Sequence, residues 1–167
     1  HLKQYTKALQ VYQQVLAIAR EIGRENINQQ NIAAIDLDNF FGSTLDSEVE
    51  ALINLSILSN LVGQSQAESN FYQQALAVSR NIYGRKGEFY VTYRLAGMYD
   101  YSLSRYPKAI ELYQQALTLI RSIGDPENEI YTLLELGKKH LIFGPYQKAI
   151  ESYQQATEIY ERTDGLR

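Results

Sequence analysis

The stretch YPKAIELYQQAL at residues 106–117 returns almost unchanged as YQKAIESYQQAT at residues 146–157. Its shortest shared element, YQQ, occurs four times. The four tyrosines stand 60, 41 and 40 residues apart, at Tyr12, Tyr72, Tyr113 and Tyr153. Self-similarity at a period of about 20–50 residues is typical of stacked repeats. The sequence therefore predicts an array of repeated units.

Apolar and small residues within one copy follow helical spacing. Tyr106, Ala109, Tyr113 and Ala116 lie three or four residues apart, which is the stripe of an amphipathic helix, and Pro107 stands near its start, where a missing N–H is harmless. A glycine follows each YQQ tyrosine by 11 or 12 residues, at Gly23, Gly84, Gly124 and Gly165. A glycine there accepts the left-handed conformation that ends a helix. We call this predicted helix B.

A second helix, A, is predicted before each of the last three B helices, over residues 48–64, 87–105 and 128–144. Asp125 is placed to cap the last of these, and Pro126 to occupy its first turn. Small residues alternate with large ones along both helices, as interdigitated packing requires. The small residues are Gly97, Gly137, Ala109, Ala116, Ala149 and Ala156, and the large ones are Tyr106, Tyr113, Tyr146, Tyr153, Leu133 and Leu136.

The last unit, with Leu136-Gly137, Tyr146, Ala149, Tyr153 and Ala156, resembles the tetratricopeptide repeat family, whose unit pairs two antiparallel helices. The third unit repeats most of this pattern and the second is degenerate. The period of about 40 residues resembles the longer-helix variety of kinesin light chains, Pins-like proteins and bacterial, notably cyanobacterial, multidomain proteins. The resemblance implies an all-α, right-handed superhelical solenoid of about three and a half repeats, with the A helices on its concave face.

The predicted organisation is a single solenoid over residues 1–167 and a fragment of a larger protein, because the chain opens inside a running repeat. Residues 1–23 form helix B of the first repeat, residues 24–46 an insertion, and residues 47–84, 87–124 and 126–165 three further repeats. We expect apolar stripes at the two ends, which offer a route to homo-oligomers. They comprise Leu9, Val11 and Leu16 at one end, and Ile150 and Ile159 at the other.

The insertion is too apolar for a bare linker. Two interpretations remain open. It packs over the array, with a short helix near residues 28–38 and a turn at residues 42–43, or it fills the groove and presents Phe40 and Phe41 to a partner.

Composition and motifs argue against several functions. A net charge of −3 offers no basis for nucleic acid or an anionic membrane, and there is no cysteine for a disulfide or a thiolate metal site. The chain has two histidines and no phosphate loop, nucleophile elbow or metalloprotease motif. We therefore expect no catalysis, cofactor or metal. With no signal peptide or membrane span visible, we expect a cytoplasmic location.

Recognition of a protein or peptide remains as the leading hypothesis, since helical phase turns one face of each A helix away from helix B. The predicted groove residues are Asn54, Ile57, Arg94, Met98, Tyr101, Tyr131, Leu134, Glu135 and Lys138. Mixed apolar and isolated polar groups suit an extended or helical peptide. The alternative is a spacer or self-assembly element whose groove is filled by the insertion or by a second copy. A remoter hypothesis is a sensory module that holds a peptide signal for an attached effector.

Overall fold

The computed structural model describes the backbone of residues 2–27, 44–103 and 105–164, and the side chains of residues 3–21, 47–100 and 105–163. Within these ranges the chain is all helical, as the sequence predicts. Its helices are α1 (Leu2–Ile27), α2 (Thr44–Leu61), α3 (Ser65–Leu103), α4 (Tyr106–Ile123), α5 (Pro126–Phe143) and α6 (Tyr146–Asp164). The helix, the turn and the phenylalanines predicted in the insertion lie outside the described residues.

The boundary between α4 and α5 follows the sequence signals. Gly124 ends α4 in the left-handed conformation (φ 77°, ψ 40°), and its N–H donates to the carbonyl of Ile120. One residue later the side chain of Asp125 caps α5, because it accepts a hydrogen bond of 3.1 Å from the N–H of Asn128. Pro126 opens the first turn of α5, where it has no hydrogen bond to lose. These signals join helix B of one repeat to helix A of the next with a minimal connection.

Gly84 and Gly23 do not end a helix in the way that Gly124 does. Gly84 interrupts α3 with φ 59° and ψ −139°, so that α3 contains a B helix and the following A helix with a single-residue break between them. The helix end predicted at Gly23 is not observed, since α1 continues to Ile27. An internal glycine costs a helix only about 1 kcal/mol, and no proline follows Gly23 to force a stop.

The chain divides into two compact units, His1–Ser79 and Arg80–Arg167. In the first unit α1 packs against α2. Arg20 on α1 donates hydrogen bonds to Glu48 (2.8 Å) and Gln74 (2.9 Å), which ties α1 to both following helices. The buried core of this unit includes Leu16, Ala19, Val49, Leu52, Leu55 and Ala75.

In the second unit α5 packs against both α4 and α6. The predicted alternation of small and large residues is confirmed at the alanines, which are at most 3 % exposed, and at Tyr113, which is 2 % exposed. Gly137 shows how close the approach is: a Cβ atom there would lie 2.6 Å from the ring of Tyr153. The alanines concerned are Ala109, Ala116, Ala149 and Ala156.

Tyr146 departs from the prediction that it packs in the core, because it is 69 % exposed. Its counterpart one repeat earlier, Tyr106, stacks on Phe143 with ring centroids 3.4 Å apart and an interplanar angle of 18°. Among the described side chains Tyr146 has no such ring against it. The difference between Tyr106 and Tyr146 therefore follows from the presence of Phe143 beside the former.

The predicted apolar stripes are confirmed in part. Val11 and Ile150 are each 49 % exposed, whereas Leu16 and Ile159 are 6 % and 7 % exposed. The latter two face the adjacent helix, as the burial of Leu16 in the first unit and the packing of Ile159 with Leu133 in the second show. Only the apolar residues on one face of each helix are therefore exposed, and those on the other face are buried.

Candidate protein-binding surface

A buried ion pair joins two A-type helices of the second unit. The ammonium group of Lys139 on α5 donates a hydrogen bond to the carboxylate of Asp100, in the C-terminal part of α3, and the side chains are only 8 % and 7 % exposed. A buried charge requires a close opposite charge, so this contact fixes α5 against α3 at one point. Sequence reasoning missed both residues. The available signal was helical spacing: Lys139 follows Leu136 by three residues and Asp100 follows Gly97 by three, so each charge lies on the face that the sequence predicts to be packed.

Two predicted groove residues lie beside this pair on α5. Lys138 donates a hydrogen bond of 2.6 Å to Glu135, and the ammonium nitrogen of Lys139 lies 3.9 Å from the other carboxylate oxygen of Glu135. Glu135 is thus held between an exposed lysine and a buried one. The side chain of Lys138 is 55 % exposed and that of Glu135 19 %. Lys138 is the member of this cluster that a ligand can reach.

The remaining predicted residues of the second unit have different surroundings. Arg94 and Met98 on α3 are partly buried. Leu134 packs against the cluster that Leu133 forms with α6, so part of its surface faces helix B. Tyr131 is 52 % exposed. The side chain of Tyr101 lies outside the described residues.

The predicted groove residues Asn54 and Ile57 belong to the first unit and are described within it. The side-chain amide of Asn54 donates a hydrogen bond of 2.8 Å to the carbonyl of Glu50, one turn earlier on α2. Ile57 is 3 % exposed, and is therefore part of a packed interior. Of the nine predicted residues, the structure brings Glu135 and Lys138 into direct contact.

His140, near the end of α5, is buried at 7 % exposure, and its Nδ1 atom has no hydrogen-bond partner in the described part of the chain. Burial lowers the pKa of His140 below its ordinary value of 6.5, and the positive charge of Lys148 lowers that pKa further. A Cβ atom at Gly144 would lie 2.6 Å from the same Nδ1. The environment therefore favours the neutral imidazole.

A second feature of this unit is an open cleft of about 500 Å³ between the start of α5 and the end of α6. Two half-exposed tyrosines contribute to its walls, Tyr131 at 52 % and Tyr160 at 57 %. We call it the tyrosine cleft. Its lining comprises Asp125, Pro126, Glu127, Ile130, Tyr131, Tyr160 and Thr163.

The described residues contain no cluster of three or more histidine, aspartate or glutamate side chains arranged to hold a metal ion. No helix in the same part of the chain combines the length and the apolar character that crossing a membrane requires.

Comparison with known proteins identifies the type of repeat. Residues 88–162 match the family model of the tetratricopeptide repeat, which confirms the resemblance inferred from the repeated residues. Among solved structures, the chain is similar to BtubC (BKLC) from P. vanneervenii, with a TM-score of 0.58 and 21 % identity. That alignment covers 98 % of this chain and 59 % of BtubC, so the chain spans about three fifths of the length of that protein. At this identity the likeness shows the fold alone.

A further similar structure is that of MamA, with a TM-score of 0.48 and 18 % identity, covering 98 % of this chain and 89 % of that one. No match was found among curated proteins.

Proposed function

Since residues 88–162 belong to the tetratricopeptide repeat family, a class of helical repeat that generally mediates protein–protein interaction, we propose that the chain is a non-catalytic module that binds a peptide or protein segment along its A helices. In repeats of this kind, the residues that recur at fixed spacing are buried because they pack the helices together. Recognition is then left to the surface positions at which the repeats differ.

The observation that carries this proposal is the contact of Lys138 with Glu135 above the buried pair of Asp100 and Lys139. A binding group is most effective when packing and neighbouring hydrogen bonds hold it in place before the ligand arrives. Glu135 approaches both lysines, and Lys139 is itself anchored to α3. The ammonium group of Lys138 is thus presented to solvent from a supported position.

The proposed ligand is a peptide segment that combines an acidic group with apolar side chains. Lys138 and Arg94 would bind the acidic group, with Glu135 as a further orienting group. The apolar part would lie against the predicted groove residues Met98, Tyr131 and Leu134 of the same unit. Such a mixture of an aromatic or aliphatic anchor with a few polar contacts is typical of peptide grooves.

The test uses a peptide selected from a random-peptide display library against the full chain, labelled with fluorescein and titrated by fluorescence anisotropy. We expect Lys138→Ala to weaken binding about tenfold or more. Lys108→Ala is the matched control, because Lys108 on α4 makes an equivalent pair, at 3.0 Å, with Glu111 three residues away. Equal affinity for the two variants would contradict the proposed surface, as would a library that yields no saturable ligand.

A further inference from the structure

The tyrosine cleft has an acidic margin. Glu127, in the first turn of α5, lines the cleft, is exposed and forms no ion pair within the described residues. Asp125 adds a second carboxylate to the lining, although it is engaged in capping α5. Among the described residues that line the cleft there is no lysine or arginine. The cleft therefore combines tyrosine rings with negative charge.

Such a lining favours a cation carried on an apolar surface. A lysine ammonium group gains from the face of a tyrosine ring as well as from a carboxylate, and its alkyl chain covers apolar surface. The rest of the lining is Pro126 and Ile130, which are apolar, and Thr163, whose hydroxyl donates to backbone carbonyls of α6. A helix that presents lysines next to aliphatic side chains has the chemistry to fill it.

The outer face of α1 has this composition. Lys3 and Lys7 lie one turn apart, about 6 Å along the helix axis, and line a shallow depression with Thr6 and Gln10. Next to them on the same outer side are Val11, Val15 and Ile18, which are 49 %, 38 % and 56 % exposed. The opposite side of α1 carries Leu16 and Ala19, which are buried in the first unit. Neither lysine forms an ion pair within the described residues.

We propose that the outer face of α1 from one copy of the chain docks in the tyrosine cleft of a second copy. Lys3 and Lys7 face the carboxylates and tyrosine rings, while Val11 and Ile18 cover Pro126 and Ile130. The two surfaces differ, so each copy uses its cleft for one neighbour and its α1 for another. Such a heterologous contact builds head-to-tail assemblies, which are rings if the rotation closes and open filaments if it does not. It goes beyond the proposed function because it uses neither Lys138 nor Glu135.

Sedimentation velocity of the 167-residue chain over a concentration series provides the first test. We expect the weight-average mass to rise with concentration, and the association to weaken in high salt, which screens exposed charges. Tyr160→Ser removes an exposed ring, and should weaken association about tenfold without unfolding the chain. A chain that remains monomeric up to about 1 mM would overturn the proposal. Binding of a basic peptide to the cleft of such a monomer would not rescue it, because the proposed occupant is a second copy of the chain.

Charge exchange places the contact. Lys7→Glu and Glu127→Lys should each abolish assembly at concentrations where the wild type associates, because each brings like charges together. An equimolar mixture of the two variants should assemble again, since each α1 then meets a cleft of opposite charge. Glu151→Lys, an exposed substitution elsewhere on α6, is the matched control and should assemble as the wild type does. A mixture that stays monomeric would overturn the proposed contact.

A second exposed apolar surface, Ile142, Phe143 and Tyr146, gives an independent check. Ile142→Ser should leave assembly unchanged, since this side chain is 62 % exposed. Loss of assembly in Ile142→Ser, with full assembly in Glu127→Lys, would place the interface there and refute the tyrosine cleft. Lys138→Ala should assemble normally, so that failure of the peptide-binding proposal and failure of this one are separable.

Discussion

Lys139 on α5 donates a hydrogen bond to the carboxylate of Asp100 on α3, with less than a tenth of either side chain exposed. Removing one member of a buried pair leaves the other charge uncompensated, which typically costs about 3–5 kcal/mol. We expect Lys139→Met to lower the free energy of unfolding by that amount. Asp100→Asn should cost less, because Glu135 remains 3.9 Å from Lys139. Urea unfolding followed by circular dichroism measures both values.

The double variant Asp100→Leu/Lys139→Met is the control for this prediction. Replacing both charges with apolar groups is commonly neutral or stabilising. It should therefore recover most of the stability lost in Lys139→Met, and a double variant as unstable as the single one would contradict the account of a buried pair.

Gly97 and Gly137 occupy equivalent positions in successive repeats but have different surroundings. A Cβ atom at Gly137 would lie 2.6–2.9 Å from three ring atoms of Tyr153, whereas one at Gly97 would lie 3.5 Å from the hydroxyl of Tyr113. Gly137→Ala should therefore destabilise the chain by about 1–3 kcal/mol through overpacking. Gly97→Ala should raise stability by up to about 1 kcal/mol, because alanine favours a helix. Thermal unfolding of the two variants side by side tests the difference in sign.

Capping of α5 by Asp125 contributes measurably to stability. Asp125→Ala removes the acceptor for the N–H of Asn128 and should cost about 1 kcal/mol, whereas Asp125→Asn should cost less because it retains an acceptor oxygen. Arg105→Ala is the matched control at the start of α4, since Arg105 makes no side-chain capping bond. A loss for Arg105→Ala equal to that for Asp125→Ala, measured by urea unfolding, would argue against capping as the cause.

The burial of His140 predicts a decrease of stability in mild acid. Burial, followed by the charge of Lys148, lowers the pKa of His140 in the folded chain below its ordinary value of 6.5. The unfolded chain therefore takes up this proton at a higher pH than the folded chain does. The free energy of unfolding should fall as the pH drops below about 6.5 and level off below the folded-state pKa. Thermal unfolding between about pH 7.5 and 5.5 measures this dependence.

Replacement of the titrating group isolates its effect. His140→Gln should show a shallower decrease of stability over the same pH range, and Lys148→Gln a smaller reduction of the slope, because Lys148 is the second cause of the pKa shift. An unchanged slope in His140→Gln would assign the pH dependence to other groups.

The fold was predictable because its signals are local and recur. Ala109 and Ala116 are separated by two helical turns, and the same spacing returns 40 residues later at Ala149 and Ala156. A periodic packing pattern can thus be recognised without knowing which helix it meets. Gly23 shows the limit of local signals: a glycine permits a helix to end but does not require it, and α1 continues.

The candidate site was predictable only within single helices. Glu135 and Lys138 are three residues apart, so their contact follows from helical geometry. The pairing of Asp100 with Lys139 depends on how two helices align, which spacing within either helix does not fix. The exposure of Tyr146 and Tyr160 likewise depends on whether a neighbouring helix covers them. Forty residues earlier, Tyr106 stacks on Phe143 and Ile120 is 1 % exposed, whereas Tyr146 and Tyr160 are more than half exposed.

The distance between the helix A glycine and the helix B tyrosine differs between the third and fourth repeats. This difference matters for any attempt to lengthen the protein by duplicating a repeat. Residues 87–124 carry the looser contact, 3.5 Å at Gly97, and residues 126–165 the tighter one, 2.6 Å at Gly137. Duplicating residues 87–124 would copy a glycine–tyrosine contact that leaves room for an alanine in place of the glycine. Duplicating residues 126–165 would copy a contact in which each new unit must keep the glycine. Two repeats of nearly identical sequence therefore differ in how much substitution they tolerate, and the third repeat is the better template for a longer array.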